Sequence, residues 1–426
     1  MSDSGPASGF RGLGRTDVVR LEELVPVDRH LEDVLDGLTP LEPIVLGLTD
    51  ALGLVLAEDL VAAEALPAFD NAAMDGYAVA ASEVADASAD APGRLTVVGE
   101  VAAGAGQLPA VEPGTAVRIM TGAPLPPGAD AVVPVEVTRA GDDVVEILVA
   151  PRRGDHIRRA GEDVELGRRL LRAGRRLRPG DIATMAALGH ARVRCHPRPR
   201  VVVVSTGNEL VAPDRTLEPG TLRDSNGMML TALVRQADAV PFWAGIVPDD
   251  RRALLDAFDS NLGHADVLVT TGGVSAGAHD HVRDVLAMMG EVEVRKVAMK
   301  PGMPQVFGHV RGVPVFGLPG NPVSSFVSFE VFVRPAIRRL QGRRDLSRPS
   351  VRAVLAEDVT TPPGKRTYLR VRLRQEGGRW MATTTGEQGS HVVTSLIAAD
   401  GLAEIPEDRT ETSAGEEVKV HLLVDG

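Results

Sequence analysis

RPRVVVVSTGNEL, residues 198–210, sets four consecutive valines against a polar, glycine-containing end. A continuous β-branched run is the signature of a strand buried on both faces, which in soluble proteins means a parallel sheet covered by helices. The sequence beyond it repeats the theme. SNGMMLTALVRQADA (225–239) places Met229, Leu230, Leu233, Val234 and Ala237 on one helical stripe, and AVPFWAGIV follows as a strand. PDDRRALLDAFDSNL is again helical through Leu254, Leu255, Phe258 and Leu262, and ADVLVTTGG is a third strand. HDHVRDVLAMMG reads as a helix and EVEVRKVAM as a strand. VPVFGLPGNP leads into VSSFVSFEVFVRPAI, a helix expected to bend or end near Pro335. Alternating strand and helix over some 140 residues predicts an α/β domain with a parallel, doubly wound sheet at 199–342.

The flanking segments have other textures. Residues 28–60 read as helical, with Leu31, Val34, Leu35 and Leu38 on one face and a second apolar group from Ile44 to Leu56. From 66 to 151, short apolar runs broken by Gly and Pro predict an inserted β domain, and a basic stretch at 152–198 rejoins 17–65. QGRRDLSRPS (341–350) is a linker, after which alternating runs over 350–426 predict a compact β-barrel. Residues 1–16 are expected to be a disordered leader without the apolar core of a secretory signal.

Composition narrows the function classes. A net charge of −12 argues against nonspecific affinity for nucleic acid or anionic membranes, despite basic patches at 152–159 and 168–178. The lone Cys195 excludes an intrachain disulfide framework and suits a reducing compartment, so a cytoplasmic location is expected. No apolar run reaches the ~18 residues of a membrane helix.

Open parallel sheets bind ligands beyond the carboxyl ends of their strands. Three polar loops fall there: STGNEL (205–210), TTGGVSAGAHD (270–280) and LPGNPVSS (318–325). Their glycines let backbone amides approach an anion. The spacing of Gly272, Gly273 and Gly277 is not that of a dinucleotide fingerprint, and no P-loop occurs, so a plain strand-to-helix turn stays open beside phosphate binding. Glu209, Asp249 and Asp280 could converge as hard oxygen ligands for Mg²⁺, although Asp249 and Asp280 could equally be helix N-caps. Lys296 and Lys300 in KVAMKPGMP suit an oxyanion or phosphate. Ser324 and Ser325 either hold phosphate or cap the following helix. Asp75 in PAFDNAAMDGYAV and Thr121 in RIMTGAPLPPGADAVV sit on comparable glycine-containing loops.

Those two motifs, with RRAGEDV, STGNEL, DSN, TTGGVSAGAHD, KPGMP, GLPGNPVS and TTTGEQGSH in this order, resemble the molybdopterin molybdenumtransferase family, which includes the C-terminal domain of gephyrin. The resemblance implies four domains in a homodimer: a discontinuous helical domain, the inserted β domain, a molybdopterin-binding α/β domain and a C-terminal β domain. It implies an enzyme that takes adenylyl-molybdopterin and molybdate, cleaves the diphosphate with Mg²⁺, and releases AMP and molybdenum cofactor. Catalytic roles then fall to Asp280, Asp249, Lys296, Lys300 and Asp75, and metal ligation to Asp249, Asp280 and Glu209. Substrate contacts fall to Thr121, Gly207, Glu209, Gly272, Gly273, Ser275, Gly277, Pro301, Asn321 and Ser324. Molybdate contacts fall to Lys300, Arg370 and Ser390, while Asp75 and Thr121 face the partner subunit's site. The adenylyltransferase of the preceding step and molybdoenzyme acceptors are further implied partners. Met303 stands where many relatives carry lysine, which leaves the choice between molybdate and tungstate open. Two alternatives, a gephyrin-like partner-binding scaffold and the preceding adenylyltransferase, differ by peptide binding and by ATP-dependent product formation.

Overall fold

The structure is a computed structural model that describes residues 24–104, 106–273 and 281–423. The expected leader at 1–16 lies outside them. The chain divides into two compact units, one formed by residues 1–42 and 196–426, the other by residues 43–195.

The larger unit begins with helix α1 (Val27–Asp36) and then builds the α/β domain. Its strands and helices alternate as β1 (Arg200–Thr206), α2 (Ser225–Gln236), β2 (Val240–Val247), α3 (Arg251–Leu262), β3 (Val267–Thr271), α4 (His281–Met289), β4 (Glu291–Lys296), β5 (Pro304–Val310), β6 (Val313–Leu318), α5 (Pro322–Ser328) and α6 (Arg334–Leu340). The sheet order is β2-β1-β3-β6-β5-β4. The first four strands are parallel, as the valine run predicts. The run also explains the double winding. Val201 and Val203 face a core shared with α1, α2 and α6, whereas Val202 and Val204 face one shared with α3 and α4.

Three details differ from expectation. The sheet is mixed, because β5 and β6 form an antiparallel hairpin and β4 pairs antiparallel with β5. The hairpin turn is Arg311-Gly312, both at positive φ (53° and 82°), the mirror-image turn whose twist suits a hairpin. The last helix is interrupted ahead of Pro335 and not at it: a π-helical turn at Phe329–Val333 separates α5 from α6, and Pro335 sits in the first turn of α6. Helix α1 ends at Asp36, and Ile44–Gly47 and Val55–Leu56 are strands. Their β-branched and leucine-rich stretches pair with Arg192–His196 and need no helix. The segments expected to be helical thus supply two α-helices among the described residues, α1 and Pro179–Ala187.

Beyond the linker, β7 (Ser350–Leu355), β8 (Arg366–Glu376), β9 (Arg379–Thr384), β10 (Gly401–Ile405) and β11 (Glu417–Leu422) close into a five-stranded barrel in the order β8-β9-β7-β11-β10-β8. Alternate residues such as Leu369, Val371, Ala403, Val418 and Val420 fill it. The short strand Met299–Lys300 pairs with Arg366–Thr367 and joins the α/β domain to the barrel.

In the smaller unit, a six-stranded sheet carries the inserted β segment, with cores around Val79, Val133 and Ile147 on one side and Val101, Val117 and Ile119 on the other. A separate core around Leu56, Leu177 and Met185 holds Cys195, which is buried and not in a disulfide; burial pushes its thiol up to about 11. No described helix is long and apolar enough to cross a membrane.

Candidate functional site

The carboxyl ends of the parallel strands meet at a cavity of about 310 Å³. Thr206, Gly207 and Glu209 reach it from β1, Asp249 from β2, Gly272 and Gly273 from β3, and Pro319, Gly320 and Asn321 from β6, with Pro304 completing the wall. The described parts of the three loops singled out in the sequence therefore line one cavity. Their glycines stand where neighbouring atoms crowd the Cβ position. Gly207 has φ +153°, and a Cβ there would lie 2.4 Å from Glu209 Oε2, so the Glu209 carboxylate lies directly over the bare Cα. Gly272, at φ +92°, would drive a Cβ to 2.4 Å from the Thr206 carbonyl oxygen. Gly273, at φ +65°, would meet Val282 at 2.5 Å.

Asp249 is not the helix cap. Asp250 takes that role, its Oδ1 accepting from the backbone N–H groups of Arg252 and Ala253 at 3.0 Å each. Asp249 is released toward the cavity, with its backbone N–H donating to Asn208 Oδ1 at 3.1 Å. Its Oδ1 is buried and makes no hydrogen bond. A buried carboxylate oxygen without a protein donor is costly, and a water, a cation or a ligand hydroxyl can satisfy it. Ser324 is buried in the first turn of α5, and Asn321 precedes that helix without capping it by its side chain. Asp280, Ser275 and Gly277 lie outside the described residues.

The KPGMP segment runs on to a second cavity of about 220 Å³, lined by Lys300, Pro301, Glu357, Thr367, Arg370 and Thr384 among others. Arg370 is 1% exposed, and burial pushes its guanidinium down to about 10. Its Nε donates to Ser395 Oγ at 3.1 Å, and its terminal nitrogen to the carbonyls of Glu387 (3.3 Å) and Gly389 (3.1 Å). These acceptors are neutral, so the guanidinium has no direct carboxylate partner; the cavity wall carries the exposed Lys300 together with the carboxylates of Glu357 and Asp358. Ser390 does not line it; the Ser390 carbonyl instead accepts from Val323 N–H at 3.1 Å, beside α5. Lys296 ends β4, half-buried and opposite Pro304 in register, and lines neither cavity.

In the smaller unit, Asp75 Oδ1 accepts from both Thr121 N–H (2.7 Å) and Thr121 Oγ1 (2.6 Å), and these two bonds hold the Asp75 carboxyl below its usual range. The pair is solvent-exposed and ready-formed. Sequence reasoning missed the polar layer beneath the first cavity: Thr206, Thr271 and Asn226, linked to Ser325. The available signal was a pair of buried threonines closing an otherwise apolar strand, Thr270-Thr271.

Comparison with known proteins agrees with this architecture. Three family models match in succession: the "MoeA N-terminal region (domain I and II)" over residues 25–189, the "probable molybdopterin binding domain" over 202–339, and the "MoeA C-terminal region (domain IV)" over 352–423. Molybdopterin molybdenumtransferase 2 of Mycobacterium tuberculosis is 44% identical over 400 residues, covering 92% of this chain and 98% of that one. The molybdopterin molybdenumtransferase of Bacillus subtilis is 35% identical over 404 residues, 94% of each. A crystal structure of the molybdopterin biosynthesis MoeA protein from Pyrococcus horikoshii superimposes with a TM-score of 0.83 at 34% identity, covering 95% of this chain and all of that one. By sequence along nearly its whole length and by fold, the chain belongs to the MoeA family of molybdopterin molybdenumtransferases.

Proposed function

We propose that this protein is a transferase of molybdenum cofactor biosynthesis, which inserts molybdenum from molybdate into molybdopterin presented as its adenylyl derivative. The observation that carries the reading is Asp249: a carboxylate with one oxygen buried and unpartnered, in a glycine-walled cavity at the strand ends of the molybdopterin-binding domain. In this reading the diphosphate lies among the amides of the three loops. Hydrolysis breaks one bridging P–O bond; the oxygen of water goes to one phosphorus and a proton to the departing phosphate, giving AMP. Molybdate goes to the second cavity, where Arg370 and Lys300 are the positive groups, beside the carboxylates of Glu357 and Asp358.

The residues fit Mg²⁺. Among the described residues no three His, Cys, Asp or Glu side chains gather into a closed metal cage. Mg²⁺ usually takes only one or two protein carboxylates and completes its shell with water and phosphate oxygens. Asp249 and Glu209 are two such carboxylates on one cavity, and would hold the ion. When bound, it offsets the charge of the diphosphate.

A homodimer in the cytoplasm goes with the proposal, Asp75 and Thr121 serving the partner's site. Its support is the ready-formed, solvent-exposed Asp75–Thr121 pair, which lines neither cavity described above. Sedimentation velocity tests it.

The deciding experiment is anaerobic incubation with adenylyl-molybdopterin, molybdate and Mg²⁺, following AMP. Wild-type protein is expected to release AMP. Asp249→Asn, which keeps shape and removes charge, is expected to lose about a hundredfold in rate and to weaken Mg²⁺ binding by titration calorimetry. Unchanged AMP release by a folded Asp249→Asn protein would overturn the role of Asp249.

A further inference from the structure

The first cavity rests on one side chain that makes no contact with its contents. Asn226, in the first turn of α2, is 9% exposed. Its Nδ2 donates to Thr271 Oγ1 at 2.9 Å and to the Gly320 carbonyl at 2.7 Å. Thr271 is the last residue of β3, directly before Gly272, and Gly320 lies in the loop after β6, so one amide ties the roots of two of the three walls. The network branches at Thr271, whose hydroxyl also reaches the Pro319 carbonyl at 3.3 Å. Thr271 Oγ1, having accepted from Asn226, lies 3.0 Å from Ser325 Oγ, and Ser325 Oγ donates to the Pro319 carbonyl. Thr206 Oγ1, from the third wall, donates to the Thr271 carbonyl at 3.2 Å.

The amide orientation follows from this network. Gly320 offers only a carbonyl, so the nitrogen must face it; a reversed amide would set oxygen against oxygen. Asn226 Oδ1 is then left buried without a partner. The protein keeps that unsatisfied acceptor in exchange for two donors aimed at two loops. Those loops are adjacent: the Gly272 N–H donates to the Leu318 carbonyl at 3.2 Å. Their separation therefore depends directly on what lies beneath them.

We infer that Asn226 is a positioning residue for the transfer reaction, its side-chain amide setting the spacing of the Thr271–Gly273 and Pro319–Asn321 loops and hence the width of the cradle for the diphosphate. The inference rests on the function proposed above. Misplacing a reacting group by an ångström can cost about a hundredfold in rate while leaving binding largely intact. Asn226→Asp is isosteric but sets a carboxylate against the Gly320 carbonyl. Protonation of the new carboxyl restores a single donor. Asn226→Ala restores nothing at any pH.

AMP release is measured from pH 5.5 to 8.5, with rates expressed per folded molecule from thermal melts. Both variants are expected to lose about tenfold to a hundredfold in kcat at pH 8, with KM within about threefold of wild type. Relative to wild type, Asn226→Asp is expected to recover activity as pH falls, while Asn226→Ala stays flat. That divergence is something a merely structural residue would not produce. Wild-type rates in both variants, or parallel pH profiles, overturn the inference. If Asn226→Asp does not fold, Asn226→Ala decides alone: full kcat overturns the inference and a tenfold loss at unchanged KM supports it. If neither folds, Asn226 is a residue of the core, which also overturns it. A wild-type protein that releases no AMP fails the functional reading instead, so the two failures are distinguishable.

Discussion

Two glycines of the cradle look interchangeable in sequence and are not. A Cβ at Gly207 would collide with the end of the Glu209 side chain, at 2.4 and 2.6 Å, and a carboxylate on a flexible stem can swing away. A Cβ at Gly272 would collide with the carbonyl of Thr206, the last residue of β1, and that backbone cannot yield without disturbing its pairing with β2. Both positions also carry positive φ, which costs an L residue about 1–2 kcal/mol. Gly207→Ala is therefore expected to lose only about that much stability, but to dislodge Glu209 and weaken Mg²⁺ binding. Gly272→Ala adds a backbone clash and is expected to lose about 3 kcal/mol or more. Urea denaturation separates the two. Equal losses would mean that the loop relaxes as a unit, contrary to the contacts observed. The same scale shows what a sequence conceals. Asp249 and Asp250 are adjacent acids before a helix, and either could cap it. Only the observed bonds from Arg252 and Ala253 assign Asp250 to the helix and leave Asp249 for chemistry.

Among the elements, helix α1 is the one whose place was least legible. Its apolar spacing predicts a helix, but not that Val27, Val34 and Leu38 would pack with Val201, Val269 and Phe332, more than 160 residues away. Legibility tracked whether a signal was local. The valines of β1 and the alternation of β8 and β11 carry their burial pattern within the strand. The hairpin of β5 and β6 turned on Arg311 adopting positive φ, which no pattern of apolar residues announces. Helix α1 also holds a titration. His30 is buried edge-on against Phe332, with ring centroids 4.7 Å apart, and burial, aided by nearby Arg295 and opposed by Asp33, pushes it down to about 4. The folded state thus resists a proton that the unfolded chain accepts near pH 6.5. Stability from this group is complete above that value and is lost as pH falls toward 4. Between pH 7 and pH 5 the expected loss is about 2 kcal/mol. His30→Phe keeps an aromatic ring in place and should remove that slope, as denaturant melts at the two pH values would show. A slope that survives the substitution would place the titration elsewhere.

At the scale of the larger unit, the α/β domain and the barrel each declared themselves in sequence, while the bond between them did not. QGRRDLSRPS reads as a linker, yet Arg348 within it is 6% exposed and engaged. Its Nε donates to Glu330 Oε2 at 2.7 Å, one terminal nitrogen to Gln236 Oε1 at 2.6 Å, and the other to the Leu423 carbonyl at 2.9 Å. Arg334, fully buried, donates to the same Glu330 carboxylate at 2.7 and 3.0 Å. One carboxylate thus joins the π-helical turn, α6, the linker into the barrel and, through Arg348, the end of the barrel's last strand. Burial alone would raise the Glu330 carboxyl, but the two guanidiniums outweigh it and hold it below the usual range. Removing the carboxylate charge leaves two buried cations facing each other, a change that typically costs 3–5 kcal/mol, roughly, whereas replacing a whole buried ionic set with apolar groups can be neutral. Glu330→Gln is therefore expected to destabilise the protein by about 3–5 kcal/mol in urea melts. Because the network spans domain and barrel, the loss should appear as barrel strands exchanging amide hydrogens sooner than β1 and β3, whose hydrogen bonds lie in the sheet interior. Uniform acceleration across both would show that Glu330 supports the α/β core rather than the attachment of the barrel.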